Sequence, residues 1–373
     1  MGGAVMQKKR DANMDYLKVL SIVMIVFFHY FWNADYNWAA FNAPQQVLIA
    51  AAHMFGELGV DCFALVSGYY LSASKKPFRL EKLWNLWKQI FVYSVLSMAV
   101  IHLFVHHYSL SATTLAKLFF PVTNKVWWYT TAYALLYIFS PYINRLMHAL
   151  SREEHKQLIG ILLLVFSVIP TVAAVKNGNT EGFLYYNRFI WLVVLYIIAG
   201  YIRKYGLDVP FAKQNITSTW KQWMKLHIIS WIVLFVYIVI VRIVCGPDMM
   251  DRAIYFRCPN SILMLAMAIS LFMVFKSVSL NGGRLIPFLS SCTLGIYMVH
   301  GGRSGQFWWN RIFHHPSLEG TWLVFADAFC ALIVIMCAGV AVEYVRQKTA
   351  NYLKMRKEKQ KQLQQESTRS AEA

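Results

Sequence analysis

Charged residues are scarce in this sequence. Only 14% of the 373 residues are Asp, Glu, Lys or Arg, whereas 58% are hydrophobic. A soluble domain carries about 25% charged residues, so the composition excludes an ordinary soluble protein and indicates a chain that crosses a membrane several times. Cysteine is scarce as well, and most of the six lie in apolar runs, as small core residues do. Cys245 and Cys258 flank one loop and would pair only if that loop faces an oxidising compartment.

Several motifs of soluble enzymes are missing. The chain has no GxSxG segment, no Walker-type glycine loop, no HExxH pair and no CxxC pair, so nothing in it suggests a metal, a flavin or a nucleotide hydrolase. No internal repeat is apparent, so an inverted-repeat transporter gains no support. The first apolar run is flanked by charge and lacks a small-residue cleavage site. We therefore expect it to remain as a membrane span and not to be removed as a signal peptide.

Long apolar runs are what the chain has in abundance. Crossing the hydrocarbon core of a bilayer takes about 20 helical residues, and on that basis we predict an all-α, polytopic membrane helix bundle. We expect ten spans, at 14–33, 47–71, 84–107, 127–148, 157–175, 189–203, 226–245, 260–279, 284–301 and 321–345. Residues 1–346 would form one membrane domain, and residues 347–373 a basic cytoplasmic tail that is partly disordered.

The net charge of +18 has a topological explanation. Most lysines and arginines lie in the tails and loops on one side of the predicted spans, which places both termini in the cytoplasm by the positive-inside rule. Because the charge is spread over short loops and one tail, it does not indicate nucleic-acid binding. The basic residues of the tail would be solvated or would touch anionic lipid.

The first predicted span carries ionisable residues inside an apolar sequence. Lys18 lies near its start and His29 lies deep within it. His29 is eleven positions after Lys18, so at about 100° per residue they share one helix face and lie about 16 Å apart along the axis. Asp15 belongs to the same stripe. A polar face on a membrane helix contacts protein or water, so His29 is a candidate general base; the alternative is a buried histidine that only bonds to a neighbouring helix.

The second predicted span adds a polar stripe. His53, Glu57 and Asp61 follow one another at intervals of four residues, which places them on one helix face. Because this span runs back toward the cytoplasm, His53 and Glu57 lie near the depth of His29. Glu57 or Asp61 would orient the imidazole of His29. The alternative is a stripe that only joins helices through hydrogen bonds, and we favour it for His53.

Basic residues mark the cytoplasmic end of the third predicted span. Arg79 and Lys82 are three residues apart, and Lys88 follows. Such a cluster can bind the phosphates of a nucleotide-like donor. The positive-inside rule alone also accounts for these charges.

On the opposite side of the membrane, aromatic and basic residues are candidates for contact with a second substrate. Trp127 and Trp128 begin the fourth span and would stack on a sugar, although interfacial aromatics are common at such positions. His300 ends the ninth span and Arg303 follows it. These two would line a cavity for the second substrate or would face interfacial water.

Five segments of the chain, in this order, resemble acyltransferase family 3, the ten-span membrane acyltransferases that modify cell-surface glycans. They fall in spans one to four and nine. The segments are Lys18 with His29 after ten intervening residues, GVDCFALVSGYYL at 59–71, the basic pair Arg79 and Lys82, WWYTTAYALLYIFSP at 127–141, and LGIYMVH at 294–300. The family often has two arginines in the basic pair, so bidentate phosphate binding is less secure at Lys82.

The resemblance implies an acyl-CoA donor, acetyl-CoA first, that enters from the cytoplasm. Lys18, Arg79 and Lys82 would bind its phosphates, and His29 would act as the base near the thioester. The acceptor would be a sugar hydroxyl of a surface glycan or lipid-linked oligosaccharide, reached from the outer side of a bacterial plasma membrane. We expect no metal. Some members carry an extracytoplasmic serine-hydrolase domain; this sequence does not show one, which favours transfer by the membrane domain alone.

A second function remains open from the sequence. A transporter or flippase of a sugar-linked lipid or small polar solute would also need an aromatic and ionisable interior. A sensory module derived from the same fold would be expected to lose the stripe of Lys18 and His29, which is intact here.

Overall fold

The computed structural model describes residues 12–33, 36–104, 111–124, 126–172, 187–208 and 219–372. The all-α prediction is confirmed, because the described chain is 85% helix and has no strand. We number the helices of eight or more residues α1 to α11. They are α1 Ala12–Asn33, α2 Ala43–Leu71, α3 Leu80–Phe104, α4 Ala112–Phe119, α5 Trp128–Ala149, α6 Arg152–Val172, α7 Arg188–Tyr205, α8 Trp220–Cys245, α9 Ile262–Ser277, α10 Leu285–His300 and α11 Leu323–Glu372.

Each of the ten predicted spans overlaps a helix, and α4 is the additional one. Residues 105–107 of the third predicted span and 173–175 of the fifth lie outside the described residues. Among the described helices, six are long and apolar enough to cross a membrane, namely α1, α2, α3, α6, α8 and α11. The apolar helices α9 and α10 have only 16 residues each. The described helices are those of a multi-pass membrane protein. The number of ten spans and the cytoplasmic position of both termini stay predictions.

Local sequence sets the starts of α2 and α6. The Asn42 side chain accepts a hydrogen bond from the backbone N–H of Gln45, whose side chain accepts one from the backbone N–H of Asn42. Pro44 lies in the first turn of α2, where a missing N–H costs nothing. Ser151 and Glu154 form the same reciprocal pair at the start of α6. Both helices therefore begin where their capping boxes satisfy the first free N–H groups.

Helix α2 lies at the centre of the bundle because it approaches both α1 and α7 closely. A Cβ added at Gly59 would lie 2.6 Å from the backbone oxygen of Ser21 in α1. A Cβ added at Gly68 would lie 2.9 Å from the Cβ of Ala199 in α7. Small residues allow such approaches between membrane helices. Helix packing thus explains both of these glycines of the segment GVDCFALVSGYYL.

Helices α1 and α10 run side by side in the same direction. The Ser290 hydroxyl of α10 donates to Asp15 of α1 at 2.6 Å, near the start of both helices. Near their ends, the rings of His29 and His300 are in contact. Because the two helices touch near both of their ends, the polar stripe of α1 follows α10 for most of its length. This alignment explains why Asp15 is buried.

Helix α11 runs antiparallel to α10 and continues without a break to Glu372. The residues from 348 to 368 are all exposed. Most of the predicted tail, 347–373, is therefore an exposed extension of α11. The boundary of the membrane domain at residue 346 stays a prediction.

Cys245 and Cys258 are both free thiols. The Cys245 sulfur accepts a hydrogen bond from Arg252 at 3.5 Å, and the Cys258 thiol donates to Asn260 Oδ1 at 2.7 Å. Each sulfur thus has a partner other than the second cysteine.

Candidate active site

A cavity of about 1660 Å³ lies among α1, α2, α3, α5, α10 and α11. At one end its wall includes His29 and Glu57 together with aromatic and hydroxyl side chains. At the other end its wall is rich in lysine. The basic and acidic lining residues are Lys18, Lys82, Lys88, Arg346, Lys354, Lys357 and Lys361, against Glu57, Glu81 and Glu358.

Helix α1 supplies a residue to each end of this cavity. Lys18 and His29 both line it, as their spacing on one face predicts. Straight α-helical geometry separates them by about 16 Å along the axis. Near Lys18, the ring of Tyr70 lies 5.9 Å from the ammonium nitrogen. Because Lys18 and His29 both belong to α1, the geometry of this helix sets the separation between the lysine-rich end and the histidine end.

The His29 ring is held by a second histidine. His29 Nδ1 lies 3.1 Å from His300 Nε2, and His300 Nδ1 lies 2.6 Å from the backbone oxygen of Ile296. A carbonyl only accepts, so His300 Nδ1 carries the proton and, in the neutral ring, His300 Nε2 accepts. His29 Nδ1–H must then donate to His300. The backbone oxygen of Ile25 also accepts from the His29 ring, so the one N–H of the neutral ring, at Nδ1, serves both acceptors. The lone pair of His29 is then on Nε2, which is the state that a general base requires.

His300 itself does not line the cavity. It is fully buried, and the indole N–H of Trp309 donates to its backbone oxygen at 3.2 Å. The sequence interpretation placed His300 at an acceptor cavity or in interfacial water. Its position in the structure is behind His29, where it fixes the tautomer and the orientation of that ring. The orienting hydrogen bond for His29 comes from α10 and not from the carboxylates of α2.

The polar stripe of α2 divides among three environments. Glu57 lines the cavity. Asp61 is fully buried and accepts a hydrogen bond from the indole N–H of Trp191 at 3.0 Å, on the side of α7. His53 is buried among the rings of Trp32 and Trp38, each with its centroid 6.1 Å away. Of the three residues, only Glu57 is placed to meet a bound molecule.

Two arginines near the histidine end act on Glu57, namely Arg188 at the start of α7 and Arg257 between α8 and α9. The charges of Arg257 and Arg188 both act on the Glu57 carboxyl. The Arg188 guanidinium lies 4.2 Å from the centroid of Trp128, and that of Arg257 lies 4.2 Å from the centroid of Trp32. Neither arginine was singled out by the sequence analysis. No spacing rule could have found them, because each reaches Glu57 from a different part of the chain.

Only one residue of the basic pair at the start of α3 lines the cavity. Lys82 lines the cavity, with its ammonium 6.0 Å from the centroid of Tyr137. Arg79 is not among the lining residues, and it pairs with Glu81 at 2.6 Å. Lys88 also lines the cavity and lies 3.4 Å from Asn85 Oδ1. Lys82 and Lys88 are therefore better placed than Arg79 to meet an anion in the cavity.

The two tryptophans at the start of the fourth span have different surroundings. Trp128 lines the cavity beneath Arg188. Trp127 is only 1% exposed and packs with Ile90 and Met298 in a small core between helices. The side chain of Arg303 lies outside the described part of the structure.

Three tyrosines of α5 line the cavity, and the helix face that they share was not recognised from the sequence. Tyr129, Tyr133 and Tyr137 follow one another at intervals of four residues and occupy one face of α5. Their spacing in WWYTTAYALLY was a usable signal, because three aromatic residues on one helix face either enter a core or line a site. Among the described residues, no group of three or more His, Cys, Asp or Glu is arranged to hold a metal ion.

A membrane helix bundle with a histidine pair at the end of a large internal cavity has the architecture of an integral-membrane enzyme. The profile of the acyltransferase domain of acyltransferase family 3 matches residues 11–344. The chain therefore belongs to acyltransferase family 3, and the family inferred from the sequence is confirmed. The protein is a membrane acyltransferase by family, which weighs against the transporter alternative. Comparison with curated proteins and with solved structures gave no significant match.

Proposed function

We propose that this protein transfers an acyl group, acetyl in the first instance, from acyl-CoA to a sugar hydroxyl of a cell-surface or lipid-linked glycan. His29 acts as the general base. The donor enters from the cytoplasm and the acceptor from the outer side of a bacterial plasma membrane. The observation that carries the proposal is that one cavity is lined by His29 and Glu57 at one end and by a surplus of lysine at the other.

The shape of an acyl-CoA fits this division of the cavity. Its phosphates and its thioester are separated by a long flexible arm, so the binding site needs cations and a reactive group that are far apart. Lys18, Lys82 and Lys88 supply the cations, and Lys18 lies about 16 Å from His29 along α1. The lysines act as point charges toward phosphate oxygens. The thioester would then lie near His29.

The chemical step follows from the tautomer of His29. His29 Nε2 accepts the proton of the acceptor hydroxyl as its oxygen attacks the thioester carbonyl carbon. The carbon–sulfur bond breaks, the ester bond forms, and the coenzyme A thiolate leaves with the proton returned by His29. Through the whole step His29 Nδ1–H donates to His300, so the ring is held while its charge changes. His300 is in this scheme a positioning residue.

A covalent variant uses the same lone pair differently. His29 Nε2 itself would attack the thioester to form an acyl-histidine, and the acceptor hydroxyl would then take the acyl group. The free nitrogen of His29 serves either route. Rapid mixing with labelled acetyl-CoA in the absence of acceptor separates the two. Only the covalent route leaves protein that carries one label after a quench in denaturant at neutral pH, where an acyl-imidazole survives longer than in acid.

The acceptor would bind near the histidine end. Trp128 and Tyr129 offer aromatic faces for a sugar ring, and Arg188 lies over Trp128. Glu57 accepts hydrogen bonds from sugar hydroxyls in this scheme. Asp61 has no direct part in it, since its carboxylate accepts from Trp191.

The test uses purified protein in lipid nanodiscs with radiolabelled acetyl-CoA. We expect saturable binding, slow release of acetate and transfer of label to a glycan acceptor. His29→Ala should bind acetyl-CoA but neither release nor transfer the acetyl group. His102→Ala, which changes an exposed histidine at the end of α3, is the matched control and should behave as wild type. Folded wild-type protein that binds no acetyl-CoA would overturn the proposal.

A further inference from the structure

The exposed extension of α11 forms one wall of the cavity opening. Between residues 341 and 361, the lining residues of α11 recur at intervals of four, so at about 100° per residue the lining stripe turns slowly around the helix. Its first turns are apolar at Val342 and Val345, and in its last turns Lys354, Lys357 and Lys361 share one helix face. The basic tail predicted from the sequence is therefore part of the cavity wall, through one face of its helix.

A buried carboxylate fixes the rotation of α11. Glu343 is 1% exposed and accepts a hydrogen bond from the Tyr93 hydroxyl of α3 at 2.6 Å. Arg346 donates to the same carboxylate at 2.8 and 2.6 Å. This network holds α11 against α3, and in a continuous helix it also determines which tail residues face the cavity. Arg346 is neutralised by Glu343 and adds little surplus charge to the cavity wall.

The tail lysines do bring surplus charge. On this face three lysines stand against one carboxylate, Glu358, which is 3.9 Å from Lys354. An exposed pair of that kind is weak, so it costs little to exchange it for an anionic ligand. Three basic residues of the same helix, Lys348, Arg356 and Lys359, are exposed and do not line the cavity.

The cavity lysines therefore fall into two sets at different distances from His29. The near set is Lys18 and Lys88, and the far set is Lys354, Lys357 and Lys361. Lys82 lies level with Lys354, because it is eleven residues before Tyr93 in α3 and Lys354 is eleven residues after Glu343, which bonds to Tyr93. Gln347 Nε2 donates to the backbone oxygen of Ser291 at 3.4 Å, close to the level at which Asp15 meets α10. Lys354 lies seven residues beyond Gln347, which is about 10 Å further from His29 along the helix.

We propose that the far set, on the extension of α11, binds the 3′-phosphate of the coenzyme A donor, while the near set binds its diphosphate. Coenzyme A carries two anionic groups in series, with the diphosphate nearer to the thioester and the ribose 3′-phosphate farther from it. Two sets of lysines in series match that order. This inference rests on the proposed function and goes beyond it, since it makes the tail a part of the donor site.

The test compares two triple variants that remove the same number of positive charges. Lys354→Gln, Lys357→Gln and Lys361→Gln together change the cavity face of the tail. Lys348→Gln, Arg356→Gln and Lys359→Gln together are the matched control on its other faces. Binding of coenzyme A and of 3′-dephospho-coenzyme A to the full chain is measured by calorimetry, first in nanodiscs of zwitterionic lipid, where lipid charge cannot contribute, and then in nanodiscs of anionic lipid.

We expect the cavity-face variant to bind coenzyme A about tenfold more weakly than wild type, with little change toward the 3′-dephospho form. The control variant should bind both as wild type does. Arginine in place of all three cavity-face lysines should retain the affinity, which excludes a folding defect as the cause of the loss.

Two other outcomes overturn the inference and leave the proposed function standing. One is equal coenzyme A affinity in the two triple variants. The other is a loss of affinity that appears only in nanodiscs of anionic lipid, which would assign the tail lysines to lipid headgroups. Wild-type protein that binds no coenzyme A overturns the proposed function instead, so the two failures are distinguishable.

Discussion

The two ends of the cavity differ in how firmly their functional side chains are held. At the histidine end, the His29 ring is fixed by a hydrogen bond to His300, which is itself bonded to a backbone oxygen. At the lysine end, the cations are long side chains on exposed or half-exposed turns. A buried hydrogen-bonded pair has one geometry, whereas exposed ammonium groups have many.

This difference predicts how function is distributed between the ends. The proton transfer at the histidine end depends on the position of single atoms, so one substitution there removes a step of the reaction. Binding at the lysine end is the sum of several weak, screened contacts, so one substitution there removes a fraction of the affinity. The predictions that follow test this contrast in order of expected effect.

The largest effect is expected at His29. His29→Ala should lower the rate of acyl transfer by about a thousandfold, because a general base contributes about two to four orders of magnitude. Affinity for acyl-CoA should stay within about twofold, since the phosphates bind at the other end. Single-turnover rates and equilibrium binding on the same preparation measure both quantities. Wild-type transfer by folded His29→Ala protein would remove the histidine end from the chemistry.

The next effect is expected at His300. His300→Leu removes the acceptor of the His29 Nδ1–H bond and should lower kcat about a hundredfold, because small errors in the placement of a reacting group cost rates of that order. His300→Gln keeps an acceptor oxygen and should lose only about tenfold. KM for acyl-CoA should not change in either variant. Equal activity of the Leu and Gln variants would show that His300 only fills space.

A smaller effect is expected at the lysine end, where two residues of α3 form a matched pair. Lys82→Glu places a negative charge in the cavity wall and should raise KM for acyl-CoA about tenfold with kcat retained. Arg79→Glu should raise it less than threefold, since Arg79 is paired with Glu81 and does not line the cavity. The difference should shrink as salt is added. A larger effect at Arg79 would place the donor phosphates outside this cavity.

The smallest effect on activity is expected from the tryptophans. Trp128→Leu should raise KM for the acceptor by a few fold, because one aromatic face for a sugar is lost. Trp127→Leu should leave KM unchanged and lower the free energy of unfolding by about 2 kcal/mol, because a buried ring is cut back. Thermal unfolding and acceptor titration on both variants provide the measurements. The reverse pattern would mean that Trp127 binds the acceptor.

Much of the fold could be predicted because membrane helices are recognisable in a sequence as long apolar runs. All ten predicted spans overlap helices, although among the described helices only six meet the length and hydropathy of a clear span. The helical face shared by Lys18 and His29 was also predictable, since eleven residues make a nearly whole number of turns. The face of α5 that carries Tyr129 and Tyr133 followed from the same rule but was overlooked.

Sequence spacing could not predict that the polar residues of α2 have different surroundings. Glu57 and Asp61 are four residues apart and share a face, yet one lines the cavity and the other bonds to Trp191. Helical periodicity gives the face of a residue on its own helix. Which neighbour packs against each turn of that face depends on where α7 crosses α2, and Gly68 permits that crossing without specifying it.

By itself, the sequence determined the helices, their apolar lengths, and the placing of Lys18 and His29 on one face about 16 Å apart, because these depend on contacts within a few turns. The tertiary structure alone decided the partner of His29, which is 271 residues away in the chain. It also decided that the far lysines of α11 line the same cavity as Lys18. Long-range packing sets such pairings, and no local pattern encodes the distance between two helices that meet only after the chain has folded.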